Sequence, residues 1–262
     1  MDKISLHRLL NKWNLVFKIL PILIAVIVLK LIVHSLGYEV ISLNTLYTSL
    51  VAGTIFLLGF LITGVLSDYK ESEKIPGELS ASIESLHDDA YTILKAKKSK
   101  TAKRFLQHVR EFSNSLVEWF YKRERSQVIL RRISDMNDLL VDLELEGITA
   151  NFIIRMKNEQ GNLRKLVIRA HTIRDTEFIQ SAYAIAEALA ICIVFGLVII
   201  KVEPFYESLF FTVIVTFLIS YMLFLIRDLD NPFDYVKKGE VGSEIPLKPL
   251  YDLNERLMRE IS

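Results

Sequence analysis

The chain has a single cysteine, Cys192, in 262 residues. No disulfide can form within it, and there are too few thiols for a structural zinc site. Ten glycines and six prolines argue against a loop-rich or all-β chain. Neither sign of charge dominates: 32 Lys and Arg against 31 Asp and Glu leave a formal +1, so nothing global invites a nucleic acid. No HExxH, CxxC, GxSxG, Walker loop or dinucleotide fingerprint is present. His7, His34, His87, His108 and His171 do not pair at metal-ligand spacing, so the sequence points to no enzyme, no metal centre and no cofactor. What is abundant is apolar. Hydrophobic residues make up 51% and mean hydropathy is +0.31, yet 24% of residues are charged. Both hold only if apolar and charged residues are segregated into blocks.

Four apolar blocks reach the roughly 20 residues needed to cross a bilayer as a helix. They run from Leu15 to Leu36, from Leu43 to Leu66, from Ala182 to Ile200 and from Ser208 to Ile226. The first carries Lys18 near one end and Lys30 and His34 towards the other, positions from which long cationic side chains snorkel to headgroups. Pro21 falls in its first turns, where a proline disturbs a helix least. This block is too long for a signal-peptide core, and no small-x-small cleavage site follows it.

The blocks form two hairpins, joined by GYEVIS (37–42) and KVEPFYE (201–207). The expected organisation is an N-terminal segment and hairpin over 1–66, a helical region over 67–181, a second hairpin over 182–226 and a tail over 227–262. The first loop has no Lys or Arg, whereas Lys3, Arg8 and Lys12 precede the first span and Arg227, Lys237 and Lys238 follow the fourth. By the positive-inside rule both termini and the middle region are cytoplasmic, in a cell membrane (inner or plasma).

The middle region reads as packed helices. Phe105, Val109, Phe112, Leu116 and Phe120 repeat every three or four residues. Ile129, Ile133, Met136, Leu140 and Leu143 form a second seam, and Ile83, Leu86, Ala90 and Ile93 a shorter one. Asn162 after Gly161 suggests a cap opening a helix that runs into the third span. No alternating strand pattern occurs. His87-Asp88-Asp89 reads as a solvated helix face, because the second histidine of a metal phosphohydrolase pair is missing. In the tail, GEVGSEIPLKPL is turn-rich and YDLNERLM forms a short amphipathic helix.

Two features within the spans carry chemistry. Glu187 is the only acid inside one, hence a candidate ion-coupled group, although it lies about two turns from the cytoplasmic end, where water can solvate it. In the second span Thr45, Ser49, Ala52, Phe56, Phe60, Thr63 and Ser67 share one helix face, polar at both ends and aromatic in the middle. Lipid gains nothing from hydroxyls, so this face should meet protein or water. A polar–aromatic–polar succession suits a pore with an apolar constriction. Packing through Ala52, Gly53, Gly59 and Gly64 explains part of the pattern equally well.

FLLGFLITGVLSDYKESE (56–73) resembles the pore-helix segment of bestrophins, with its F-x-x-G-F core and charged exit. Asn231-Pro232-Phe233 resembles the bestrophin N-P-F after the fourth span. Leu229, Asp230, Pro232 and Phe233 also match the L-D-x-P-F element of bestrophin-like bacterial membrane proteins. The order of hairpin, helices, hairpin and tail is shared over nearly the whole chain. The resemblance implies an all-α integral membrane protein that assembles as a homopentamer and passes inorganic ions along a pore lined by the second span. Phe56 and Phe60 would then form the neck, and Ala52 would widen it where a larger apolar residue is usual. Of the acids that hold calcium after N-P-F in some bestrophins, only Asp234 follows directly. Asp228 and Asp230 precede the motif, which argues against calcium gating. Two other readings remain open: an ion-driven motor subunit like those of flagellar stators, against which the absence of prolines in the last two spans counts, and a sensor or scaffold acting through its soluble helices.

Overall fold

The structure, a computed structural model, describes residues 3–175, 180–235 and 244–259. Lys237 and Lys238 lie outside them. In chain order the elements are α1 (Lys3–Ser35), β1 (Ile41–Ser42), α2 (Thr45–Lys97), α3 (Lys100–Phe120), α4 (Ser126–Leu145), α5 (Ala150–Asp175), α6 (Gln180–Ile199), β2 (Ile200–Lys201), α7 (Phe205–Asp230) and α8 (Lys248–Arg259). Among the described residues the chain is all-α apart from the two-residue strands. Among the described residues four helices are long and apolar enough to cross a membrane, namely α1 from Trp13, α2, α6 from Ser181, and α7.

The chain divides into two units, residues 1–69 with 177–231 and residues 70–176 with 232–262. The first unit holds all four apolar stretches. Its core is a thin seam of Leu58, Leu61 and Val65 from α2, Ala186, Ala190, Ile193 and Leu197 from α6, and Ile219 and Ile226 from α7. α1 packs on α6 and α7, burying Ile19 and Val26. Phe17, Ile24, Val28 and Ile32 on its other faces stay exposed, as they should where lipid is the solvent. β1 and β2 pair in parallel, Ile41 with Ile200 and Ser42 with Lys201. This contact ties the two hairpin loops together, where the sequence offered no strand signal.

Three local expectations change. α1 begins at Lys3, so Pro21 sits in the helix interior rather than in its first turns. There it removes one backbone donor, a defect that spans tolerate because neighbouring helices satisfy the freed groups. α2 does not stop where charge begins at Asp68; it continues for 53 residues in all, through Pro76. α5 runs through Gly161 and Asn162, which therefore open no helix. Its junction with α6, residues 176–179, lies outside the described residues.

The second unit is built from the seams read in the sequence. Phe105, Phe112, Leu116 and Phe120 of α3 are buried, as are Ile129, Ile133, Met136 and Leu143 of α4 and Ile83, Leu86 and Ala90 of α2. α8 lays Leu250, Leu253 and Leu257 on α3. Ser99 caps α3 by accepting from the Ala102 N–H at 2.9 Å. Its own hydroxyl and that of Thr101 donate to Glu146, just past α4, and these bonds hold the Glu146 carboxyl below the usual range. His87 and Asp89 are buried, not solvated. The Arg155 Nε–H donates to Asp89 at 2.7 Å, so the buried carboxylate is neutralised by a guanidinium; only Asp88 faces water.

Candidate functional site

The Asn44 side chain starts α2 by accepting from the Tyr47 N–H at 2.9 Å. At 100° per residue two lines then run along opposite sides of the helix. One comprises Tyr47, Val51, Thr54, Leu58, Leu61 and Val65, all buried or partly buried against the core. The other is the stripe read in the sequence. Thr45, Ser49, Ala52, Phe56, Phe60, Thr63 and Ser67 are all exposed, with Phe56 at 78% and Phe60 at 69%. Neither phenylalanine fills the core of its own chain. The Thr63 hydroxyl donates to the Gly59 carbonyl one turn back, at 3.0 Å.

Tyr47 fastens this helix to α6. Its hydroxyl donates to the Ile193 carbonyl at 2.6 Å, and its ring occupies the space left by Gly196, where a Cβ would stand 2.5 Å from Tyr47 Cε2. The glycine therefore permits a close approach.

Lys30 contradicts its sequence reading. It does not snorkel, because its side chain is fully buried. Its ammonium donates to the carbonyls of Val198 at 3.2 Å and Ile200 at 2.6 Å and pairs with Glu39 Oε1 at 2.7 Å. These contacts match the three donors of a lysine. The Val198 carbonyl belongs to the last turn of α6 and Ile200 opens β2 directly after it, so the cation sits at the negative end of the helix dipole. The other Glu39 oxygen accepts from His34 Nδ1 at 2.9 Å, and the His34 ring stacks on Phe205 at 3.8 Å. Burial pushes the Glu39 carboxyl up, but the hydrogen bonds from Lys30 and His34 outweigh it and leave the group below the usual carboxylate range. The sequence held one signal for this cluster, since Glu39 is the only ionised group in the first loop.

Glu187 is not isolated either. Its Oε1 accepts from Arg227 Nη2 at 2.6 Å, with both side chains substantially exposed. The post-span motif divides at the unit boundary. Asp228 and Asp230 end α7 and Asn231 follows it, while Pro232, Phe233 and Asp234 belong to the second unit. There Phe233 is fully buried against Phe120, ring centroids 5.4 Å apart. The Pro232 carbonyl accepts from the Ile245 N–H at 3.1 Å, and Asp234 pairs with Lys122 at 2.5 Å. Among the described residues no three His, Cys, Asp or Glu side chains gather as metal ligands.

No protein-family model matches the chain, and no curated protein matches it. Solved structures do. One variant of a bacterial bestrophin homologue from Klebsiella pneumoniae superposes with a TM-score of 0.77 at 16% identity, covering 92% of this chain and 98% of that one. A second variant gives 0.77 at 16% identity over 94% and 100%, and a third 0.77 at 15% over 94% and 99%. Sequence identity is low, but the match runs through both hairpins, the helices between them and the tail. This chain has the bestrophin fold.

Proposed function

We propose that the chain is one subunit of a cyclic, pentameric ion channel whose pore is lined by α2. The observation that carries this reading is the separation of the two faces of α2: the face carrying hydroxyls is exposed along its whole length in the single chain, while the opposite face makes the core. Hydroxyls on an exposed face of a span call for water or for another copy of the same surface, and a ring around a water-filled axis supplies both. The bestrophin fold and the resemblance of residues 56–73 to the bestrophin pore segment support the same arrangement. In such a ring Phe56 and Phe60, one turn apart, form two stacked apolar collars. A narrow apolar collar stops ions by shedding water, with no charge needed. Ala52 leaves the approach to the collars wide, and Thr45, Ser49, Thr63 and Ser67 line the wetter ends. The loops at 36–44 and 200–204 face outward and the termini are cytoplasmic. Asp234, taken up by Lys122, is a poor starting point for a calcium site, and Glu187, ion-paired with Arg227, is a poor one for a motor carboxylate.

The test is ion flux in liposomes. Phe56→Ala and Phe60→Ala should raise basal flux by widening the collars. Leu57→Ala, whose side chain packs towards the core, should leave flux nearly unchanged. Native mass spectrometry should give an assembly at five times the 30.2 kDa chain mass. Well-assembled phenylalanine variants with unaltered flux would remove these residues from the pore, and a monomer or dimer in mild detergent would remove the ring.

A further inference from the structure

The first unit contains a cavity of about 390 Å³ between the first turns of α2, the end of α6 and the first turns of α7. Its walls are apolar, with Val51, Leu197, Phe211 and Val215 among them. The volume lies within the range of small-molecule sites, which combine apolar walls with a few placed polar groups. Here the polar groups differ in what they already do. The Tyr47 hydroxyl is engaged by Ile193, and the Thr212 hydroxyl donates to the Ser208 carbonyl at 2.7 Å. Two groups are left over, both at the start of α7. The Ser208 hydroxyl is buried with no hydrogen-bond partner, an arrangement that is costly and asks for an explanation. Glu207, next to it, lines the same cavity and forms no ion pair among the described residues.

We infer that this cavity is a binding site for an amine with an apolar body, its ammonium donating to the Glu207 carboxylate and the Ser208 hydroxyl. An acceptor carboxylate beside an acceptor hydroxyl reads a cationic donor. A phospholipid fits less well. Its phosphate would find no Lys or Arg among the lining residues, and Lys201, the cation nearest in sequence, is held by Glu203 at 2.8 Å. The occupant touches Val51 on the core-facing side of α2, so it braces that helix from behind the exposed stripe.

The experiment is calorimetric titration of the full chain in nanodiscs of zwitterionic lipid, with empty nanodiscs as the partition baseline. The probes are 3-phenylpropylammonium and its neutral isostere 3-phenylpropan-1-ol. Saturable binding of one ammonium per chain is expected, about fivefold tighter than the alcohol, the scale of one exposed ion pair. Glu207→Gln, at an exposed position that tolerates the change, should erase the difference between the probes. Val215→Phe should fill the cavity and abolish both. Equal binding of the two probes, an unaltered preference in Glu207→Gln, or no saturable binding above the baseline overturns the assignment. So does a phospholipid that native mass spectrometry finds retained and that the ammonium does not displace. Binding is read without ion flux, so its outcome is independent of the pore.

Discussion

Gly196→Ala tests how α2 is fastened to α6. An alanine Cβ at this position would lie 2.5 Å from Tyr47 Cε2, 3.0 Å from its Oη and 3.1 Å from Cζ. The ring cannot swing aside freely, because its hydroxyl is bonded to the Ile193 carbonyl at 2.6 Å. Overpacking of this kind costs about 1–3 kcal/mol, and losing the hydroxyl bond adds about 0.5–1.5 kcal/mol. Against this, replacing a mid-helix glycine by alanine returns roughly 0.5–1 kcal/mol. The clash wins, and a net destabilisation of about 1–3 kcal/mol is expected. The assay is the thermal unfolding midpoint of the helical circular dichroism band at fixed detergent concentration. Gly161→Ala, in an open position of α5 with nothing within 4 Å of its Cβ, should raise the midpoint and so report the helix term alone. In a Tyr47→Ala background the clash partner is gone, and Gly196→Ala should become neutral or mildly stabilising. An identical loss in both backgrounds would place the strain elsewhere and refute the role given to Tyr47.

Lys30→Met should lower the unfolding midpoint by the equivalent of about 3–5 kcal/mol, because it leaves Glu39 charged without its buried partner; Lys30→Met with Glu39→Gln should recover part of that loss, and a double-mutant cycle reads the coupling. Since the folded Glu39 carboxyl titrates below its ordinary value of 4.5, its contribution is fully present above that pH and is lost as pH falls through the lowered value. The acid-induced drop in the midpoint should therefore shrink in Glu39→Gln, and an unchanged acid limb would count against the pair. For topology, Cys192 is exposed and must first become Ser. Tyr38→Cys and Tyr206→Cys should then label from outside with an impermeant thiol reagent, and Lys103→Cys only after permeabilisation; the opposite pattern inverts the chain. Arg155→Leu strands the buried Asp89 carboxylate, and restored stability in Arg155→Leu with Asp89→Asn would confirm that charge burial, not shape, is the cause.

The helices were legible because their signal is periodic and repeated. Phe105 to Phe120 and Ile129 to Leu143 each place an apolar residue at every turn, and those residues are the ones buried. The exposed stripe of α2 was legible for the converse reason, since hydroxyls recur on a face where the rest of the span is aliphatic. What escaped depends on partners far away in the chain. A lysine near the end of a span looks the same whether it snorkels or is capped by carbonyls 168 and 170 residues away. Asp89 reads as solvated until Arg155 is placed beside it. The charge onset at Asp68 resembles a helix end, yet a helix can change surroundings without changing its hydrogen bonds, and α2 does so.

The cluster around Lys30 also bears on how the protein is made. The chain is synthesised from its N-terminus, so the first hairpin must enter the membrane long before α6 exists. A charge at the centre of an inserting helix costs about 2.5–3.5 kcal/mol, and one nearer the end, like Lys30, costs less; the Val198 and Ile200 carbonyls arrive too late to offset it. Glu39 and His34 do not. His34 is in the last turn of α1 and Glu39 in the hairpin loop, both within nine residues of Lys30, and they pair with each other at 2.9 Å. The acid can neutralise the lysine while the hairpin is still alone, and the lysine then gives two of its three donors to the carbonyls when the second hairpin docks. In this light Glu39 acts as an internal escort, holding Lys30 ready for a partner that has not yet been translated.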